Sequence, residues 1–258
     1  MREAGRLQKA RDLLDLRVAA GAPKSSVWKA AKSQLRKETD GKCAYCEAKT
    51  SQVAHGDVEH FRPKDEYWWL AYCYDNYLYS CQRCNQEFKG VNFPRLGPRV
   101  PEPQIPANPT NAQLSALAAS LGVDPLDAAA VQSYDVACNA ERAGIPNPYI
   151  VDPERLFAWT ADEVLGEVEI RARNNSAVAK RAFKCADEFL GLNREELRQT
   201  RFTVYDHAAA FAATLKEPGI SAGLRTRLEN KLQRMMSVKG EFAGMVRFLV
   251  REVEQLPL

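Results

Sequence analysis

Two cysteine pairs, Cys43-x-x-Cys46 and Cys81-x-x-Cys84, bracket a segment reading Asp57-Val58-Glu59-His60-Phe61-Arg62-Pro63-Lys64, and Asn85 directly follows the last thiol. Four cysteines in paired spacing make one closed tetrahedral zinc site. Such a site keeps no open position, so its ion does no chemistry and instead fixes the chain around it. No other feature constrains the fold as strongly: everything between the pairs must fit on a loop whose two ends meet at one ion. The remaining cysteines, Cys73, Cys138 and Cys185, lie among apolar neighbours and read as small buried hydrophobes. A disulfide framework is not expected from this spacing in a chain of 258 residues.

Outside the cysteines the pattern is mainly helical. Residues 1–20 place Leu7, Leu13, Leu14, Leu16 and Val18 among charges at a helical period, and Gly21-Ala22-Pro23 ends that run. Ser25 or Ser26 is expected to cap a second helix from Val27 to about Lys37, with Trp28 and Leu35 facing inward. From Gly41 to Pro94 the texture changes to cysteines, aromatics and turns, which metal rather than a large core must hold. Val58 and Phe61 predict a short strand, Asn76 to Ser80 a second, and Arg83 to Lys89 a short helix starting inside the second cysteine pair. Pro94, Pro98, Pro101, Pro103, Pro106 and Pro109 make a stiff, extended connector. Residues 111–130 read as a helix, and Pro146, Pro148 and Pro153 mark an irregular passage. Residues 176–215 and 222–255 then read as long amphipathic helices, the first broken at Gly191-Leu192-Asn193.

The residues between the cysteine pairs can carry phosphodiester hydrolysis. That reaction needs an activated water, a stabiliser for the charge on phosphorus and help for the leaving oxygen. His60 is the candidate general base, because an unperturbed imidazole titrates near neutrality. One hard cation, Mg²⁺ or Mn²⁺, serves the other two needs and takes oxygen ligands, which Glu59 and the side-chain carbonyl of Asn85 can supply. Asp57 shares a strand face with Glu59 and is the alternative ligand. If Asn85 sits on the helix after the cysteines, the zinc sets its distance from His60. Arg62, Lys64, Arg83 and Lys89 are candidate phosphate contacts. The dense aromatics Tyr67, Trp68, Trp69, Tyr72, Tyr74, Tyr77 and Tyr79 read as packing around a small metal module rather than as a base-stacking platform. His55 is a loop residue or a distant contributor, and His207 receives no role.

The segments Gly41-Lys42-Cys43-Ala44-Tyr45-Cys46-Glu47, Val58 to Lys64 and Asp75 to Asn85 resemble the HNH endonucleases. The resemblance is greatest to the branch that stands beside ATPases in bacterial phage-defence operons, the Septu nuclease subunit and its retron-associated relatives. It covers about residues 41–95 and continues more weakly through Tyr149-Ile150-Val151-Asp152-Pro153 and Gly191-Leu192-Asn193-Arg194. It implies a ββα-metal module, with the metal-binding carboxylate immediately before the histidine, at Glu59. It places Asn76 at the middle asparagine, whose amide ties down the loop between the strands. Read without the family, Asn76 is a turn residue after Asp75. Asn85 takes the third motif position, where many relatives carry a second histidine, so the chain is an H-N-N variant. An ATPase partner encoded alongside is also implied.

The fold class expected is therefore mainly α with a small ββα-metal (HNH, zinc-knuckle) module and helical N-terminal and C-terminal segments. The segments run 1–40, helical; 41–95, nuclease module; 96–150, Pro-rich connector and helical insertion; and 151–258, helical. The last is expected to dock on the ATPase or on a second copy of the chain, as a homodimer would, or else to complete the fold. Residues 1–100 carry 18 Lys/Arg against 12 Asp/Glu, whereas residues 101–160 carry 2 against 7. The basic excess thus falls on the zinc-bearing part, as a polyanion substrate requires. DNA is favoured over RNA as that substrate, with transfer RNA an alternative target. The competing reading is a zinc knuckle that binds nucleic acid, or docks a partner, without cutting. No phosphate-binding Gly-rich loop is present, no apolar run approaches a membrane span, and the charged start carries no signal core, so a cytoplasmic protein is expected.

Overall fold

The computed structural model describes residues 3–50, 56–121 and 126–258. They are mostly helical, with two small two-stranded sheets. Packing divides the chain into two compact units. The first comprises Met1–Leu35, Asp57–Leu78 and Gly90–Gly144; the second comprises Arg36–Gly56, Tyr79–Lys89 and Ile145–Leu258. Both are assembled from stretches that are not consecutive, so packing crosses the linear boundaries at 40, 95 and 150.

In the first unit, helix α1 (Glu3–Val18) buries Ala10, Leu13 and Leu14. It packs on α4 (Asn111–Leu121), which buries Leu114 and Ala118. Arg11 fastens the pair, donating to Asn111 Oδ1 at 2.9 Å and to Ser115 Oγ at 3.0 Å. The predicted single helix over residues 27–37 is two: α2 (Ser25–Lys29) and α3 (Lys32–Glu38), separated by a turn at Ala30 and Ala31. Neither serine caps α2, which follows Lys24 without a side-chain cap. The turn lets the two apolar residues of this stretch do separate jobs. Leu35 is buried, while Trp28 meets the ring of His60 edge-on at 5.1 Å. Strand β1 (Asp57–His60) pairs with β2 (Tyr77–Ser80) in one of the sheets. After the proline-rich passage, α5 (Ala128–Ala140) starts from an Asp127 cap that accepts from Ala129 and Ala130. The predicted single helix across 111–130 is thus two, α4 and α5.

In the second unit, the helices expected near the C-terminus are present. Helix α6 (Ala177–Leu190) starts from a Ser176 cap, and α7 (Glu195–Lys216) follows the break at Gly191 to Asn193. Ser221 caps α8 (Ala222–Met236), and α9 (Ala243–Phe248) follows a turn at 237–240. What the helical reading of 151–258 missed is a hairpin. Strand β3 (Phe157–Asp162) pairs antiparallel with β4 (Glu167–Ala172), in register from Phe157↔Ala172 to Asp162↔Glu167. Asp162 closes its turn by accepting from Val164 and Leu165, and Gly166 takes the positive φ. Val168 and Ile170 face the core, against α7.

The two cysteine-bearing stretches, 36–56 and 79–89, belong to this same unit and are wired to its C-terminal end. Lys42 Nζ donates to Gly240 O at 3.0 Å, Lys49 N to Glu241 Oε1 at 2.8 Å, and Gly244 N to Glu47 Oε2 at 3.2 Å. Residues 151–258 therefore complete the core around the cysteines. None of the described helices is long and apolar enough to cross a membrane.

Candidate metal centre and histidine site

The cysteine site is built from two tight turns. Cys43 N donates to Ala48 O and Glu47 N to Cys43 O, both at 2.9 Å, and Glu47 adopts the left-handed conformation that closes the loop. In the second pair, Cys84 N points at Cys81 Sγ from 3.4 Å, and Asn85 N donates to Cys81 O. A π-type helix, Arg83–Lys89, continues from there. The pairs are brought together by Ala44 N donating to Tyr79 O at 2.8 Å. Tyr79 in turn lies across Gly56, where a Cβ would stand 2.3 Å from its ring, so the residue at 56 has to be glycine.

The four Sγ atoms all lie within 4.8 Å of one another, with Cys46 and Cys81 at 4.0 Å. Zn–S bonds of about 2.3 Å in a tetrahedron put sulfurs about 3.8 Å apart, so the set fits a zinc ion. The thiols are also electrically coupled. Burial and its neighbours raise Cys43, and the hydrogen bonds to Cys43, Cys46 and Cys81 raise Cys84. Cys46 and Cys81 accept from these partners and are lowered. Among the described residues, this is the one group of three or more His, Cys, Asp or Glu side chains able to hold a metal.

The turn between α6 and α7 serves this centre residue by residue, and sequence reasoning gave it no such role. Gly191, at φ +56, ends α6, and a Cβ there would stand 2.2 Å from the ring of Phe88. Asn193 clasps Ile170 of β4, accepting from its N at 2.8 Å and donating to its O at 3.0 Å. Arg194 Nη1 donates to Cys84 Sγ at 3.6 Å. Its burial alone would lower the guanidinium, but the thiols of Cys84 and Cys46 hold it above its usual value. Two turns along α7, Arg201 is pushed down to about 10 by burial. It lines a cavity of about 450 Å³ together with Cys43, Cys46, Tyr45, Trp159 and Phe242. The signal was present as Gly-Leu-Asn-Arg, but nothing local says that its arginine reaches a sulfur 110 positions earlier.

The histidine site lies in the first unit, at the end of β1. Glu59 and His60 are both buried, at 4 % and 8 % exposure. His60 Nε2 is 3.0 Å from Ala71 O. A carbonyl only accepts, so Nε2 carries a hydrogen. Trp28 and Tyr77 meet the imidazole edge-on, each at 5.1 Å, and Tyr77 Oη donates to the same Ala71 carbonyl at 2.8 Å. Asn76, fully buried, locks the backbone two residues beyond the histidine: its Oδ1 accepts from Arg62 N at 2.8 Å and its Nδ2 donates to Arg62 O at 2.9 Å. Phe61 N donates to Asn76 O at 2.9 Å, so β1 and its continuation are held at three points.

No family model matches this chain, and no solved structure matches it. Two curated proteins do. Septu protein PtuB of Bacillus mycoides (strain KBAB4) is 40% identical over 76 residues, 24% of this chain and 26% of that protein. Septu protein PtuB of Bacillus thuringiensis is 37% identical over 79 residues, 30% of each. The chain thus spans less than a third of the length of either relative it matches.

Several sequence expectations change against this geometry. Arg62 is not a surface phosphate contact: it is 4 % exposed and its Nε is 2.7 Å from Glu141 Oε2. Lys89 is fully buried and is likewise withdrawn from the phosphate contacts. Arg83 is exposed but paired with Glu87 at 2.7 Å and Glu196 at 3.1 Å, and Lys64 lies 3.4 Å from Asp65. Asp57 is 4.0 Å from Lys32. Tyr67, Trp68, Trp69, Tyr72, Tyr77 and Tyr79 are buried, which makes them packing rather than a stacking platform. Glu59, His60 and Asn76 belong to the first unit, and Asn85 belongs to the second with the cysteines. His55 lies outside the described residues.

Proposed function

We propose that this chain is a metal-dependent endonuclease of the HNH kind, cutting DNA in preference to RNA, and the effector of an ATPase-linked anti-phage defence system. The observation that carries the catalytic part is the setting of His60. Its Nε2–H is spent on the Ala71 carbonyl, which leaves Nδ1 as the basic atom, and Trp28 and Tyr77 hold the ring from either side. The buried carboxylate of Glu59 directly precedes it at the end of the strand.

In this reading His60 Nδ1 takes the proton from the attacking water while the ring keeps its grip on Ala71. Asn76 fixes the backbone at Arg62 and so the angle at which the imidazole is presented. Glu59 would hold one Mg²⁺ or Mn²⁺, with Asp57 as the alternative; their hard oxygens suit such an ion, which keeps several waters of its own. When bound, that ion supplies charge stabilisation to the phosphoryl oxygens and the leaving group. Asn85 is assigned to the same ion by resemblance alone. The four cysteines hold zinc and stay outside the chemistry. The similarity to two proteins named Septu protein PtuB supports the defence role and partner subunits, and the ATPase among them is assigned by the sequence resemblance alone.

The deciding experiment compares wild type and His60→Ala on plasmid DNA, single-stranded DNA and transfer RNA, with Mg²⁺ or Mn²⁺. Loss of a general base costs about 10²–10⁴ in rate. A variant that cuts within threefold of wild type removes His60 from the mechanism. A wild type that binds but never cuts, with the partner ATPase and nucleotide present, leaves the non-catalytic zinc-knuckle reading. Cleavage confined to transfer RNA moves the substrate to RNA.

A further inference from the structure

A zinc ion held by four thiolates carries a net charge of minus two, and burying such a charge without compensation is costly. Here Cys43, Cys46 and Cys84 are each no more than 3 % exposed. Two cations on the α7 side face this centre. Arg194 brings Nη1 to 3.6 Å from Cys84 Sγ, and is aimed there by the Leu190 and Gly191 carbonyls, which accept from the same nitrogen at 3.3 and 3.0 Å. Its guanidinium also lies 5.6 Å over Phe88, on the helix that carries Cys84. Arg201 is 2 % exposed, and the negative groups that act on it are Cys46, Cys84 and Glu47. Its hydrogen-bond and ring partners are neutral: Leu192 O at 2.7 Å, Val168 O at 3.5 Å and the ring of Phe242. A buried guanidinium calls for negative charge nearby, and Arg201 lines one cavity with Cys43, Cys46 and Glu47.

We propose that Arg194 and Arg201 are the counter-charge of the metal–thiolate centre, balancing its two negative charges, with Arg194 donating to sulfur, so that the start of α7 is a working part of the metal site. The inference rests on the cysteines holding a metal and is independent of the nuclease reading. A hydrogen bond and positive charge at sulfur offset the charge of the centre and hold the ligand in place, which slows loss of the ion.

The test uses the full-length protein and measures zinc release to a chromogenic chelator, 4-(2-pyridylazo)resorcinol. Arg194→Ala is expected to release zinc about 10–100-fold faster than wild type, with Arg194→Lys intermediate because it keeps the charge. Arg198→Ala is the control: it sits on the same helix but serves Glu167 and the Asn193 carbonyl, so its release stays within threefold. Equal release from Arg194→Ala and wild type overturns the proposal, as does an equal effect of Arg198→Ala. Wild type purified without metal overturns both the proposal and the zinc reading. If Arg194→Ala precipitates, the cobalt-substituted Arg194→Lys protein decides: its sulfur-to-cobalt charge-transfer band moves from the wild-type position if the arginine donates to sulfur, and an unmoved band refutes it.

Discussion

Glu141 is the residue whose loss should be felt most in the first unit. It is fully buried and accepts three hydrogen bonds: from Arg62 Nε at 2.7 Å, Tyr67 Oη at 2.6 Å and Val100 N at 2.9 Å. Removing the carboxylate strands the Arg62 cation, whose other contacts are Cys138 O at 3.5 Å and the rings of Phe61 and Phe93. Breaking a buried pair by deleting one partner costs about 3–5 kcal/mol. The orphaned Val100 amide and Tyr67 hydroxyl add to this, though not additively, so Glu141→Ala should lose about 4–5 kcal/mol. That is a large part of the roughly 5–15 kcal/mol that holds a domain folded. Glu141→Gln keeps an acceptor for Tyr67 and Val100 and should lose about half as much. Urea unfolding followed by tryptophan fluorescence reads this unit, because Trp28, Trp68 and Trp69 lie in it and Trp159 lies in the other. With a slope of about 2–3 kcal/mol per molar, the midpoint should fall by about 1.5–2 M. The double variant Glu141→Ala, Arg62→Met should recover part of the loss, since no cation is then left unpaired. A midpoint within 0.3 M (about 1 kcal/mol) of wild type, or a double variant no better than the single, refutes the reasoning.

Four further outcomes follow from the described contacts. Protein purified without added zinc should contain about one zinc per chain by mass spectrometry. Cys43→Ser should be protease-sensitive, while Cys138→Ser, whose thiol lies in the other unit, should keep the metal. Asn76→Ala should lower cleavage about 10²-fold and leave metal content unchanged, because it loosens the Arg62 backbone next to His60 without touching the cysteines. Truncation after Asn147 should give insoluble protein without zinc, since it deletes Gly240, Glu241 and Gly244, which anchor the cysteine loop. A soluble, zinc-loaded fragment would instead favour the docking role for residues 151–258.

What could be read ahead of the structure was the part encoded by short spacing. The cysteine pairs, the strand at Val58, the strand after Asn76 and the helix beginning inside the second pair all follow from neighbours a few positions apart. The break between α6 and α7 was visible for the same reason. The fates of Arg62 and Lys89 were not, because a charged side chain is buried or exposed according to its partner, and for Arg62 that partner is 79 positions away. The β3–β4 hairpin was missed although Val168 and Ile170 alternate with charged residues, since the long helical runs after it dominated the reading. Arg194 and Arg201 went unassigned because each looks like an ordinary helix arginine until the sulfur is placed.

The order in which the ribosome delivers these parts has a consequence for the cell. Both cysteine pairs emerge well before the residues that clamp them, 191–201 and 240–244. At roughly 10 residues per second, the stretch from Cys84 to Gly244 takes on the order of 15 s to synthesise. Through that interval the thiols can bind an ion only loosely, and a message cut short yields a fragment without its clamp. The centre is therefore sealed only once residue 244 has been made, so chains abandoned earlier are exposed to proteases before the site can close.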